Sequence, residues 1–254
     1  MTLPPEGPGW GQAPPPPPPG PAPAPGSSDG YSVGDALSYG WAKFQSNLGP
    51  SILLGLLVIV VSVVLAVVGV VISSLLTTGP HVNDDYTVSE GSGFLVRWFA
   101  QGISTAISFL GSTIGSALVV RAGLDITEGK GLDVGDIFGR IPWAKVFILA
   151  LIQSAILFVG FLLCILPGIV AAFLLYYATY FVIDRGLEPV DALKASFELV
   201  KSNVGSALVW AIVAAIVSVV GLCLCGVGAL ATLPIAAFGT AYTYKKLNGQ
   251  PVAA

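Results

Sequence analysis

The sequence predicts an all-α polytopic membrane bundle. It should have about six transmembrane helices, interfacial amphipathic helices, a parallel internal repeat and a disordered N-terminal tail. Three observations carry this. Of 254 residues, 54% are hydrophobic and only 10% are charged, where a soluble domain carries roughly 25%. Charge-free stretches long enough to cross a bilayer recur along the chain. One stretch of about thirty residues occurs twice at a constant offset.

The mean hydropathy of +0.84 points to lipid as the main solvent. The formal net charge of −3 gives phosphate nothing to bind, so no nucleic-acid partner is expected. Three cysteines and one histidine leave little for metal or redox chemistry.

Residues 1–30 hold twelve of the nineteen prolines, including the run 14–19. They contain no Lys or Arg and no apolar stretch, so they do not read as a secretory signal. With little to bury and few backbone donors, the segment is expected to be a disordered cytoplasmic tail of polyproline II character. It is a candidate docking site for a cytoplasmic or membrane protein partner. Residues 31–254 then form the transmembrane domain.

Residues 51–76 carry no charge and, at ~1.5 Å per residue, outspan a ~30 Å hydrocarbon core. A polar loop over residues 77–93 follows. The second span lies between Arg97 and Arg121, each expected to snorkel to one interface. Residues 146–183 are uncharged and too many for one crossing. A turn is expected at Pro167-Gly168, giving spans over about 143–165 and 168–183. Residues 202–244 divide likewise at Gly226-Val227-Gly228 into a fifth span from about Gly205 and a sixth ending near Tyr244.

With the N-terminus inside, Lys43, Arg121, Lys130, Arg140, Lys145, Arg185, Lys194, Lys201, Lys245 and Lys246 all fall on the cytoplasmic side. Of eleven basic residues only Arg97 lies outside. The positive-inside rule selects this orientation, with both termini cytoplasmic and the plasma membrane as the location.

The repeat pairs Asp35-Ala36-Leu37 and Ser46-Asn47-Leu48-Gly49 with Asp191-Ala192-Leu193 and Ser202-Asn203-Val204-Gly205. It continues as Val61-Ser62-Val63-Val64 against Val217-Ser218-Val219-Val220. Each copy opens with an amphipathic pattern: Leu37, Trp41, Phe44 and Leu48, then Leu193, Phe197, Val200 and Val204. That spacing makes one helical stripe, suited to a helix lying along the interface and bracing the bundle. Ser32 and Pro189 suit the helix starts. Asn47 and Gly49, with Asn203 and Gly205, suit the helix ends. A weaker third copy starts at Val134-Gly135-Asp136 and is shortened by Pro142. The copies enter from the same side, so the repeat is parallel.

Residues that would carry chemistry are scarce. The assigned span cores hold no ionisable group, which argues against an ion-coupled pump. The second span repeats Ser104, Ser108, Ser112 and Ser116, with Gly111 and Gly115 as a GxxxG. This seam reads first as close helix packing and second as the lining of a path, with Gln101 and Gln153 contributing. His81, Asp84, Asp85 and Glu90 make a poor metal set, one histidine among carboxylates on a glycine-containing loop. No serine sits in a G-x-S-x-G elbow. Cys164 could pair with Cys223 or Cys225, or all three could be packing residues. No catalytic residue, metal or cofactor is expected.

Three stretches carry a resemblance: Tyr31-Ser32-Val33-Gly34-Asp35-Ala36-Leu37 behind the proline-rich tail, the central Leu166-Pro167-Gly168, and Val182-Ile183-Asp184 with Asp191-Ala192-Leu193-Lys194-Ala195-Ser196. Over about residues 31–246 the chain resembles uncharacterised proline- and glycine-rich integral membrane proteins of Gram-positive, especially actinobacterial, type. It is distantly similar to the membrane domain fused to some bacterial glycerophosphodiester phosphodiesterases. The resemblance implies a six-helix bundle in the plasma membrane and brings no catalytic residue.

The functional expectation is a non-enzymatic membrane protein that organises or binds partners. The alternative is a lipid- or small-solute-handling protein without ion coupling. Membrane lipids are partners in either case.

Overall fold

The computed structural model describes residues 31–77, 79, 81–82, 88–89, 92–163, 165–223 and 228–253. The proline-rich tail, Asp84, Asp85, Glu90, Cys164 and Cys225 lie outside them. Of the three cysteines only Cys223 is described, as a free, exposed thiol.

The fold is helical throughout, apart from a two-residue antiparallel pairing of β1 (His81–Val82) with β2 (Val88–Ser89). The helices are α1 (Val33–Ser46), α2 (Leu48–Leu76), α3 (Phe94–Thr127), α4 (Val134–Gly139), α5 (Trp143–Leu163), α6 (Ile165–Leu174), α7 (Ala178–Arg185), α8 (Pro189–Ser202), α9 (Val204–Cys223) and α10 (Ala229–Leu247). Among the described residues five spans are long and apolar enough to cross a membrane: α2, α3, α5, α6 with α7, and α9. The helix expected as the sixth span, α10, ends in Lys245 and Lys246 and is the most enclosed, with buried side chains along its second half.

The spans show why lipid must be the solvent. The α2 sequence is rich in Val and Ile, weak helix formers in water. In a bilayer every backbone group must be satisfied within the segment, so helix is the stable state. The large apolar side chains of α2 and α5 point outward, Leu75 at 81% exposure and Leu163 at 75%. In water such faces would drive aggregation.

The repeat is exact in its boundaries. The starts of α1 and α2, Val33 and Leu48, map by the same offset onto Pro189 and Val204, the starts of α8 and α9. Asn47 and Asn203 both bridge the paired helices, with φ/ψ of −127/38° and −131/36°. Each donates its side-chain amide to the carbonyl four residues back, Lys43 and Leu199, at 3.0 Å. The expected stop at Gly49 and Gly205 is not seen. Both fall in the first turn of the following helix, because the asparagine amides make the turn alone.

The third copy is present as the short helix α4, capped by Asp133 and followed by α5. The chain is therefore three units, each a shorter helix followed by an outgoing and a returning stretch of helix, the last of these being α10, which is not among the five candidate spans. The interfacial helices close the ring: α4 packs on α3, α8 on α7, and α1 on α10. The returning helices α3, α7 and α10 thus meet one another at one end.

Packing between helices uses small residues, as membrane interfaces do. A Cβ on Gly111 would sit 3.2 Å from Leu65, and one on Gly69 3.1 Å from Ser104, both at the α2–α3 contact. At Gly40 an added Cβ would collide with the Ile235 carbonyl of α10. This close approach reshapes the expected amphipathic stripe. Ala36, Gly40 and Phe44 face α10 and are buried, while Leu37 and Trp41 flank the contact and stay exposed. In α8, Leu193 and Val200 are buried and Phe197 is partly exposed.

Two expected span boundaries shift. The turn expected at Pro167-Gly168 comes just before them, α5 ending at Leu163 and α6 beginning at Ile165. Pro167 and Gly168 lie in the first turn of α6, where a missing proline N–H costs nothing. The backbones of Gly160 and Gly168 meet, a Cβ on Gly160 falling 3.1 Å from the Gly168 Cα. A separate interruption lies inside the fourth span, over residues 175–177, between α6 and α7. The second span likewise runs past Arg121 to Thr127.

Candidate functional site

The extension of α3 carries Asp125, fully buried, into the charged end of the bundle. Burying a carboxylate is costly unless it is paired and hydrogen-bonded. Here Arg140 donates to both of its oxygens, at 2.9 and 2.8 Å, and Arg121 adds a third bond at 2.8 Å. Arg121, its side chain 11% exposed, is thus held in an ion pair and does not snorkel. Beside this pair, Lys245 at the end of α10 meets Asp184 of α7 at 2.5 Å and Glu128 at 3.4 Å. Tyr244 donates to Asp184 at 3.0 Å. These bonds join the ends of the three returning helices.

Glu128 lies outside the spans. Its burial works against ionisation, but the Lys130 hydrogen bond and the charges of Lys245, Lys130 and Arg121 outweigh it. They hold the carboxyl below the ordinary 4.5.

Above the charged end lies a cavity of about 530 Å³ between α2, α3, the α6–α7 break, α9 and α10. Its volume falls within the roughly 300–1,000 Å³ of ligand pockets. No charged side chain lines it. Small residues make the room: Gly115 on α3, Ala211 and Ala215 on α9, and Ala236 on α10. The polar groups are hydroxyls, from Ser62, Ser112, Ser116, Thr179, Ser218 and Thr240, with the phenols of Tyr176 and Tyr180.

The serine seam of the second span divides over two surfaces. Ser104, Gly111 and Gly115 pack against α2. Ser112, Gly115 and Ser116 line the cavity. Ser108 belongs to neither and returns its hydroxyl to the Ser104 carbonyl at 3.0 Å. The repeat enters the lining too. Val58 and Ser62 of α2 correspond to Ala214 and Ser218 of α9, and all four line the cavity.

The helix interruption supplies the remaining wall. Breaking a helix frees backbone groups, which is tolerated at membrane depth only where protein or a cavity receives them. The Ser196 hydroxyl on α8 donates to the Leu174 carbonyl at 2.9 Å and accepts the Tyr177 N–H at 3.1 Å. Gln153 on α5 donates to the Leu175 carbonyl at 3.1 Å. Gln153 therefore stabilises the break and is not part of the lining, and Gln101 is absent from it as well. The break turns Tyr176, Thr179 and Tyr180 to the cavity. Tyr180 in turn lies 5.2 Å, ring to ring, from Tyr244, which links the cavity to the ionic cluster. Across the way, Trp210 is buried with its indole N–H on Thr240 at 3.1 Å.

The α7, α9 and α10 contributions were not anticipated from sequence. A signal existed: Ala207, Ala211, Ala214, Ala215 and Ser218 form a helical stripe of small residues like that of α3. The run of tyrosines over residues 176–180 inside an apolar span was another. Among the described residues no group of three or more metal-ligating side chains occurs.

The chain matches a domain of unknown function, DUF7847, over residues 74–252. It is 36% identical over 237 residues to the uncharacterized protein Rv2560 of Mycobacterium tuberculosis, a match covering 89% of this chain and 71% of the relative. The uncharacterized protein Mb2590 of Mycobacterium bovis matches with the same identity and coverage. No solved structure matches the chain. The family match spans the last turn of α2, all later helices and most of the cavity lining, and on that extent the chain belongs to the DUF7847 family.

Proposed function

We propose that this protein is a non-enzymatic, multi-pass plasma-membrane protein that holds a lipid or small uncharged solute in the cavity beside the α6–α7 break, without ion coupling. The observation that carries the reading is the conjunction of that cavity with an interrupted helix whose freed backbone groups are met by Ser196 and Gln153. Discontinuous helices beside a cavity are how many transporters build substrate sites. The polar groups of the lining are alcohols and phenols, with no histidine, carboxylate, amine or thiol among them. A proton or cation path would need ionisable groups there.

Ten of the eleven basic residues fall on the side assigned to the cytoplasm, which supports an orientation with both termini inside. The reading that gave the proline-rich tail a partner-docking role rests on residues outside the described structure, so the cavity now takes precedence. The likeness to phosphodiesterase membrane domains brings no activity.

Native mass spectrometry of the protein released from its own membrane in a lipid-preserving polymer tests the reading. A bound molecule should be retained by the wild type and lost from Ser112→Leu and Ala215→Leu, which fill the cavity. Equal retention in all three would sink the proposal.

A further inference from the structure

We infer that the cavity ligand is a neutral lipid bearing a free hydroxyl, and that anionic headgroups are excluded. The inference rests on the cavity reading above and narrows it to one ligand chemistry.

Four lining hydroxyls spend their protons on their own helices. Ser112 donates to the Phe109 carbonyl and Ser116 to Thr113, both at 3.0 Å. Ser218 donates to Ala214 at 2.8 Å and Thr240 to Ala236 at 2.7 Å. The oxygens of Ser112, Ser116 and Ser218 keep lone pairs and can only accept from a ligand, while Thr240 already accepts the Trp210 indole N–H. Among the described residues the hydroxyls of Ser62 and Thr179 make no hydrogen bond, so each can donate as well as accept. The phenols of Tyr176 and Tyr180 line the cavity too and can do the same. The lining is therefore rich in acceptors, with a small number of donors and no formal charge.

A ligand that fits must bring a donor. An alcohol does so, and its oxygen accepts from Ser62 or Thr179 in return. A carboxylate or phosphate ester brings only acceptors and a charge, and the lining has no cation to meet it. The nearest basic groups, Lys245, Arg121 and Arg140, are committed to Asp184, Glu128, Asp125 and Asp136.

The cavity also differs from the ordinary lipid-facing surface. Outward faces of α2 carry large residues such as Val63, Val67 and Leu75. The cavity instead places hydroxyls at symmetry-related positions, Ser62 and Ser218. Bulk acyl chains would need no such groups, and a hydroxyl-headed lipid does. The apolar walls between them suit its chains.

The test uses the full-length protein in phosphatidylcholine nanodiscs containing a photo-crosslinking dioleoylglycerol, with adduct sites mapped by peptide mass spectrometry. Adducts are expected on α3, α9 and α10 peptides. Unlabelled dioleoylglycerol should compete at least about tenfold better than dioleoyl phosphatidate or the methyl ether of the same diacylglycerol, a difference of 1.4 kcal/mol or more. Ser112→Ala with Ser116→Ala and Ser218→Ala should erase the preference for the alcohol over its methyl ether, even if overall binding persists. Phosphatidate or the ether competing equally well would overturn the inference. If no lipid labels the lining and neither a lipid nor a small solute co-purifies, the cavity reading itself fails. If an anionic lipid is held, that reading stands and only the neutral-alcohol inference falls.

Discussion

The hydroxyl of Ser196 and the backbone N–H of Tyr177 meet at 3.1 Å, 19 residues apart in sequence, and both are buried. The same hydroxyl donates to Leu174, so one side chain satisfies both sides of a helix break. Ser196→Ala leaves a buried donor and a buried acceptor unmatched. It should cost about 1–3 kcal/mol, read as a lower midpoint for thermal unfolding in nanodiscs. An unchanged midpoint would show that the break does not depend on this contact.

Tyr177 supplies the contrasting case. Its hydroxyl is buried without a hydrogen-bond partner among the described residues. Removing an unsatisfied hydroxyl and keeping the ring should be neutral or stabilising, so Tyr177→Phe is expected to hold or raise the same midpoint. A fall of several degrees would point to a partner for that hydroxyl in the membrane-embedded protein.

The buried carboxylate of Asp125 is shared by Arg121 and Arg140. Asp125→Ala strands the largely buried Arg121 guanidinium and leaves Arg140 only its pair with Asp136, and it should cost about 3–5 kcal/mol, seen as lost folded yield. Adding Arg121→Leu removes the stranded charge and should recover part of the loss. No recovery in the double variant would mean that the pair is not energetically coupled.

These features mark the limits of what the sequence disclosed. Apolar length and charge placement revealed the spans, and the constant offset between Asp35 and Asp191 revealed the paired interfacial helices. What stayed hidden was three-dimensional closure. Nothing local to Arg121 says that Arg140 will return to share Asp125, although the i, i+4 spacing of Arg121 and Asp125 was visible. Pro167-Gly168 reads as a turn because proline interrupts helices, yet at the third helical position it needs no donor, so the next span has already begun at Ile165. The second interruption, inside that span, has no proline or glycine, and Ser196, donated by another unit, satisfies it. For the cavity, Ser112, Gly115 and Ser116 were legible as a seam. Their partners on α7 and α9 needed the packing of the three units to be seen.

Gly40 should be intolerant of size. A Cβ there meets the Ile235 carbonyl, which cannot move without disturbing α10. Gly40→Val is expected to release α1 from α10, measured as increased amide exchange over residues 33–46. Unchanged protection there would contradict the packing described.

The pH response follows from Glu128. Its folded-state carboxyl lies below the ordinary value of 4.5. A depressed pKa contributes stability that is present above the unfolded value and is lost as pH falls through the folded one. Acidification below about pH 4.5 should therefore weaken the wild type, and Glu128→Gln should lack that component of the loss. Parallel acid profiles for the two proteins would show that Glu128 is not responsible.

The central claim is that the cavity is occupied. The most direct measurement is the mass of the intact protein released gently from its own membrane, wild type beside Ala215→Leu. The account predicts a reproducible non-covalent adduct in the wild type, absent or much reduced in the variant at equal folded yield. A wild type that carries only the bare chain mass, or an adduct that Ala215→Leu leaves untouched, would contradict it.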